Sequence, residues 1–352
     1  MEGVSTSTAD AAVGGAGRAR SHRIAEALLR FRELGIVVAL AIVVTATAIK
    51  NPRFVELSSI QEILAGAAII GLLAIGQTVV IVTRNVDLSC GSVVGLTAYA
   101  TGMIFVASPG ISPPLVFLAA AGIGLACGAV NGAIVTVARV PSLVVTLGTL
   151  YVIRGADATW AGGNQINASD LPDWFNEIGF GEVWQLPYLG IILVVSAIVA
   201  AYAMSRFRTG RDFYAIGSNP EAARLAGIPV ERRIFLTFAI SGAISGVAGA
   251  LWLSYFGSVD STAGTGYEFT VIAAVVVGGV AIFGGSGSVI GAVLGAILLQ
   301  TIASALPSVD VSSSWELAIQ GGLLVAAIAL DRVVSVRVAP ALRTRRSRRA
   351  AG

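Results

Sequence analysis

The segment Thr83-Arg84-Asn85-Val86-Asp87-Leu88-Ser89 sets two charges, an amide and two hydroxyls inside a long apolar run. Ionisable groups at membrane depth are costly and face a bundle interior or a water-filled cavity. Asp87 is placed to pair with Arg84, to cap the following helix by accepting from its free backbone N–H groups, or to line a polar path. A second informative stretch runs from Arg211 to Ile228. There Asn219 is a favourable N-cap, Pro220 a favourable first helical residue, Glu221 complements the positive helix start, and Gly227 is able to end the helix. The pattern predicts a helix of about two turns outside the membrane, with Ala222 and Ala223 on its surface. Such a helix is too short to span and suits a groove on a cytoplasmic partner.

Other chemistry is sparsely supplied. His22 is the only histidine and lies in a basic polar tail, which excludes a histidine pair. Cys90 and Cys127 both fall in apolar stretches, which suits small core residues better than a disulfide or a metal site. No metal-spaced His/Cys set and no nucleophile with a nearby base stands out, so an intramembrane enzyme is disfavoured.

The elements that must position these residues are membrane helices. The chain has 352 residues, 55% hydrophobic and 12% charged, with mean hydropathy +0.84; an ordinary soluble domain carries roughly 25% charged residues. The expected fold is all-α, a polytopic transmembrane bundle of about ten spans, near 34–49, 63–83, 88–107, 113–138, 140–153, 188–204, 234–257, 269–283, 288–306 and 317–330. The fifth, eighth and tenth are short. Residues 1–33 read as a disordered cytoplasmic tail, 34–330 as the membrane domain, and 331–352 as a basic cytoplasmic tail.

With both termini inside, all but three of the 23 Lys and Arg residues fall on the cytoplasmic side; the exceptions are Lys50, Arg53 and Arg154. That bias is a topology signal, not a nucleic-acid footprint. Two connections exceed what a bundle needs: an external one over 154–187, with Trp160, Trp174 and Trp184, and a cytoplasmic one over 205–233. The tryptophans fit either an interfacial aromatic belt or a docking surface for an external partner. Glycines recur at small-x-x-x-small spacing, as in Gly124, Gly128 and Gly132 or Gly242 and Gly246, which lets helix backbones approach closely.

Three separated stretches, in order, resemble the ribose, xylose, galactose, rhamnose and autoinducer-2 group of ABC-importer permeases. They are Gly76 to Gly95, with Gly76-Gln77-Thr78 leading into Asn85-Val86-Asp87-Leu88-Ser89; Ala215 to Gly227; and Gly266-Tyr267-Glu268 through Gly284-Gly285-Ser286-Gly287-Ser288. The resemblance covers most of 34–330. It implies a bacterial inner-membrane permease that translocates a monosaccharide or sugar-like solute. Gly217, Asn219, Glu221, Ala222, Ala223 and Gly227 would belong to the coupling element seated in an ATP-binding cassette subunit. Asn85, Asp87, Ser89 and Glu268 would be candidates for the path or its gates. It further implies a periplasmic or lipid-anchored solute-binding protein and a second permease copy or paralogue. The chain carries no G-x-x-x-x-G-K-[ST] loop, so no ATP or other cofactor is expected on it and the partner subunit would hydrolyse ATP. One departure stands out: many relatives carry two glycines where this chain has Arg84-Asn85. The rival reading is an ion-coupled secondary transporter of a small polar solute, a class that commonly places ionisable residues near the bilayer midplane.

Overall fold

A computed structural model describes residues 34–312 and 314–333, with side chains to residue 329. The two expected tails, 1–33 and 331–352, lie outside the described residues except for the last three residues of the final helix. The chain is built from α1 (Leu34–Lys50), α2 (Leu57–Val82), α3 (Cys90–Ala107), α4 (Pro113–Val137), α5 (Ser142–Ala161), α6 (Asp173–Phe180), α7 (Tyr188–Arg206), α8 (Arg208–Ser218), α9 (Pro220–Leu225), α10 (Val230–Phe256), α11 (Tyr267–Val277), α12 (Val289–Ser308) and α13 (Trp315–Val333). A two-residue hairpin, β1 (Glu182–Val183) with β2 (Leu186–Pro187), is the only sheet among the described residues.

Six of these helices, α2, α3, α4, α7, α10 and α12, are long and apolar enough to cross a membrane, and α1, α11 and α13 are shorter apolar helices. Local chemistry sets their ends. Proline opens α4, where a missing N–H costs nothing. Gly162 ends α5 and Gly257 ends α10, each in the left-handed conformation that glycine adopts without a Cβ clash. At the centre α2 is buried over its whole apolar window, packed by α7, α10, α11 and α12. Leu73, Ile75, Ile81, Leu189, Leu193 and Leu251 are among the fully buried side chains of this core.

Small residues decide the closest crossing. Gly124 and Gly128 of α4 lie directly on the Gly242 and Phe238 carbonyls of α10, leaving no room for a Cβ. In lipid, where apolar burial offers helices no drive to associate, such backbone contact supplies the packing. Gly128→Val is expected to cost about 3 kcal/mol or more, because the clashing atoms are backbone and cannot rotate away. A thermal melt of the detergent-solubilised chain checks this; an unchanged midpoint would show that the crossing tolerates separation.

Two expected spans differ in extent. The stretch 140–153 is only part of α5, which runs to Ala161 because its charges turn inward: Asp157 is fully buried and Arg154 Nη1 donates to the Ala263 carbonyl at 2.5 Å. The long connection expected over 154–187 therefore starts only after Ala161. The stretch 269–283 is helical only to Val277, where Gly278 and the left-handed Gly279 break the ladder. Gly278 also lies against the Gly291 carbonyl and Ala292 of α12, a contact any side chain would prevent.

Candidate functional site

Asp87 is the centre of a buried polar cluster. It is 1% exposed. Its Oδ1 accepts from Ser89 N–H at 2.9 Å and from Ser89 Oγ at 2.6 Å, and its Oδ2 accepts from Ser241 Oγ of α10 at 3.2 Å. Asn131 Nδ2 of α4 donates to Ser89 Oγ at 2.8 Å. Gln77 of α2 clasps the Asp87 backbone in the amide orientation that satisfies both its atoms, Nε2 donating to the carbonyl at 3.1 Å and Oε1 accepting from N–H at 3.2 Å. Non-helical backbone in a membrane protein is tolerated where protein satisfies it; here Gln77 of α2 holds the Asp87 backbone, and Ser142 and Thr146 of α5 hold the Val86 N–H and carbonyl at 3.1 and 3.2 Å. Of the three alternatives for Asp87, the local bond to a backbone N–H is formed, at Ser89 just before α3, and the bond to Ser241 extends it to α10. The pair with Arg84 is not formed.

Arg84 turns the other way. Its backbone is left-handed, φ 67°, and its Nε and Nη2 donate to the Gly217 and Ser218 carbonyls at 2.5 and 2.8 Å. Asn85 donates to the Thr83 carbonyl at 3.0 Å and lines a cavity of about 360 Å³ with Arg139, Ser142, Arg224, Glu231 and Ile234.

The α8–α9 element is the second part of the site. Asn219 Oδ1 accepts from Glu221 N–H at 3.0 Å and Ala222 N–H at 3.1 Å, capping α9. At the other end Gly227 is left-handed, φ 78°; its N–H reaches the Arg224 carbonyl and Ile228 N–H reaches the Ala223 carbonyl, both at 3.0 Å. This is the Schellman closure that a C-terminal glycine permits. The helix has six residues, so the expected two turns are nearer one and a half.

One residue expected on the surface is not there. Ala223 is buried with Ile216 and Val230 in a small cluster that seats α9 on its neighbours. Gly217 is buried as well, and a Cβ there would meet the Val82 carbonyl and Gly285. Both position the element instead of presenting it. Glu221, Ala222, Arg224 and Leu225 are the exposed residues of α9, and Leu225 is 91% exposed. An apolar side chain so fully solvated on a doubly capped helix was legible as a leucine in a polar loop, yet periodicity over six residues is too short to show which way it faces.

The element is braced from α10: Arg233 Nη2 lies 2.8 Å from Asp212 Oδ2, and Arg233 Nη1 donates to Thr209 Oγ1 at 3.2 Å. Removing one partner of a buried pair costs about 3–5 kcal/mol; with the Arg233 side chain 23% exposed, about 1–2 kcal/mol is the expected share after solvent screening. Arg233→Met is therefore expected to loosen α8 selectively. Faster amide exchange over 208–218, with α2 and α10 unchanged, is the signature to measure, and native protection there would refute the brace.

Toward the opposite end, residues 257–266 run alongside α3 instead of over a surface. Ile166, paired with Val259, lies on Gly102, the Ala263 carbonyl on Gly95 and the Gly264 carbonyl on Gly91. This path brings Glu268 to the α3 start, 7% exposed, with Oε2 unpartnered among the described residues. Neither oxygen of Asp157 has a hydrogen-bond partner there either, and Arg154 interacts electrostatically with both carboxylates. Glu268 thus shares Arg154 with Asp157, while Cys90 lies within electrostatic reach of both Glu268 and Asp87. The three tryptophans divide: Trp174 packs on Phe105 and Phe175, Trp160 meets Tyr99 edge-on, and Trp184 stands 92% exposed at the hairpin.

Gln77, Asn131 and Ser241 were not singled out by the sequence as site residues. Asn131 had a signal, an amide within an apolar span. Ser241 had none, since its partner lies far along the chain.

A bundle of apolar helices that buries polar groups at its broken segments defines a multi-pass membrane protein. Residues 59–328 match the family described as branched-chain amino acid transport system / permease component, and the chain belongs to that family. It is a multi-pass protein of the bacterial inner membrane, the permease subunit of an ABC importer. It is 37% identical over 304 residues to the autoinducer 2 import system permease protein LsrC of Enterobacter sp. (strain 638), covering 86% of this chain and 88% of that one. The LsrC proteins of Klebsiella pneumoniae and Shigella flexneri are 36% and 33% identical, again over most of both chains. No solved structure matches.

Proposed function

We propose that this chain carries a sugar-like solute, of the kind for which its LsrC relatives are named, across the inner membrane through ten spans with both termini inside. A separate ATPase subunit drives the step by seating on α9, and an external solute-binding protein delivers the solute. The observation that carries the reading is α9 itself, capped at both ends and presenting Leu225 to solvent. A helix this short, held by two caps and a buried alanine, is maintained as a shape for a partner's groove.

The arrangement of connections supports the topology. The 83–89 segment, α8, α9 and the 278–288 connection meet at one end, through Arg84 and through the Gly285 N–H bond to the Val82 carbonyl at 2.9 Å. The 162–187 and 257–266 segments meet away from it, through the Ile166–Val259 bridge. The first group holds the arginines, as retention of positive charge inside requires.

The test is reconstitution of the chain with its ATPase and binding protein in proteoliposomes. ATP-dependent uptake of autoinducer 2 or of a monosaccharide is expected. Uptake of branched-chain amino acids alone would overturn the solute class, and uptake driven by a proton or sodium gradient without the ATPase would overturn the mechanism. Cysteine placed at Leu225 is expected to cross-link to the ATPase.

A further inference from the structure

We propose that Arg84 is the positioning residue that fastens the α8–α9 element to the Asp87 cluster, so that displacement of α9 by its partner moves the α2–α3 connection. This rests on the reading of α9 as the docking element.

Arg84 holds a backbone conformation in which an L-residue other than glycine costs about 1–2 kcal/mol. At Arg84 a specific contact is present to offset that cost. The contact is the guanidinium fork on the carbonyls of Gly217 and Ser218, the last two residues of α8. Carbonyls at a helix end lack intrahelical partners, and a cation there also meets the negative end of the helix dipole. Arg84 therefore acts as the C-terminal cap of a helix more than 130 residues away in sequence.

The joint is enclosed. Gly284 lies so close that a Cβ would meet Arg84 Cγ at 2.5 Å and its backbone N at 2.9 Å. Gly285 N–H holds the Val82 carbonyl at 2.9 Å, and Tyr214 Oη of α8 donates to the Gly287 carbonyl at 3.0 Å. On the far side only Asn85 and Val86 separate Arg84 from Asp87, whose bonds reach α3 and α10 and, through Ser89, α4. A contiguous run of polar contacts thus links α9, through Asn219 and the α8 end, to the membrane interior. Contiguity alone is no proof of coupling, so the test reads coupling itself.

Cys90 supplies the reporter. It follows Ser89 directly and is 1% exposed. In the assembled complex, with Cys127→Ser removing the other thiol, N-ethylmaleimide labelling of Cys90 is expected to change at least tenfold when ATP and vanadate are added. Arg84→Gly keeps the left-handed backbone unstrained and removes the fork. It is expected to retain ATPase binding, native thermal stability and basal hydrolysis within twofold, while the labelling change falls below twofold. Arg84→Lys, which keeps charge but not the fork, is expected to fall between.

A native labelling change in Arg84→Gly overturns the proposal. So does an unresponsive Cys90 in the native complex, or loss of assembly in Arg84→Gly, which would assign Arg84 a purely structural role. Failure of the native chain to bind the ATPase at all would instead overturn the docking reading of α9.

Discussion

Replacing Leu225 by aspartate is expected to abolish ATP-driven uptake while the chain still inserts and melts at its native temperature. The side chain is 91% exposed, so the isolated permease has little to lose; surface changes away from special features stay within about 0.5 kcal/mol. Under the proposed docking of α9, the same position would serve as an apolar anchor in the complex. Truncating a central anchor costs about 2–4 kcal/mol, and burying an unpaired carboxylate adds to that. With about 1.4 kcal/mol for each factor of ten, ATPase affinity is expected to fall about a hundredfold or more. Leu225→Met, similar in volume and still apolar, is the control expected to keep binding within a few-fold. Co-purification of the ATPase with each variant decides the matter, and native retention by Leu225→Asp would remove α9 from the docking surface.

The second large effect is expected in the membrane interior. Asp87→Ala removes the acceptor for Ser89 N–H, Ser89 Oγ and Ser241 Oγ at once. Each buried donor left unpaired costs about 1–3 kcal/mol, so the loss is several kcal/mol, a large share of the roughly 5–15 kcal/mol by which a domain is stable. Poor accumulation in the membrane and a strongly lowered melting midpoint are expected. Asp87→Asn is expected to be much milder, since its Oδ1 still accepts from Ser89 and its amide donates to the Ser241 hydroxyl, which is able to accept. Equal losses in both variants would show that the negative charge, not the set of hydrogen bonds, holds the cluster.

How far these features were legible depends on the range of the forces that make them. Membrane helices are coded by composition over about 20 neighbouring residues, so the positions of α2, α3, α4, α7, α10 and α12 follow from hydropathy alone. The caps of α9 are equally local: Asn219 serves donors two and three residues on, and Gly227 closes the end it adjoins. The orientation of its face was not local. Whether Ala223 or Leu225 points to solvent is set by Ile216 and Val230, which lie on other helices.

The sequence by itself determined the membrane class, the places where apolar runs break and the chemistry available at each break. Only the tertiary structure decided what that chemistry does. Asp87 meets Ser241, 154 residues later, and Arg84 caps α8 across a comparable interval. Asp157, within the connection expected outside over 154–187, is buried instead beside Arg154. In lipid the helices gain nothing from simply hiding apolar surface. Backbone contact at glycines and the pairing of buried polar groups select the arrangement, and those partners are brought together by the folded bundle, not by adjacency in the chain.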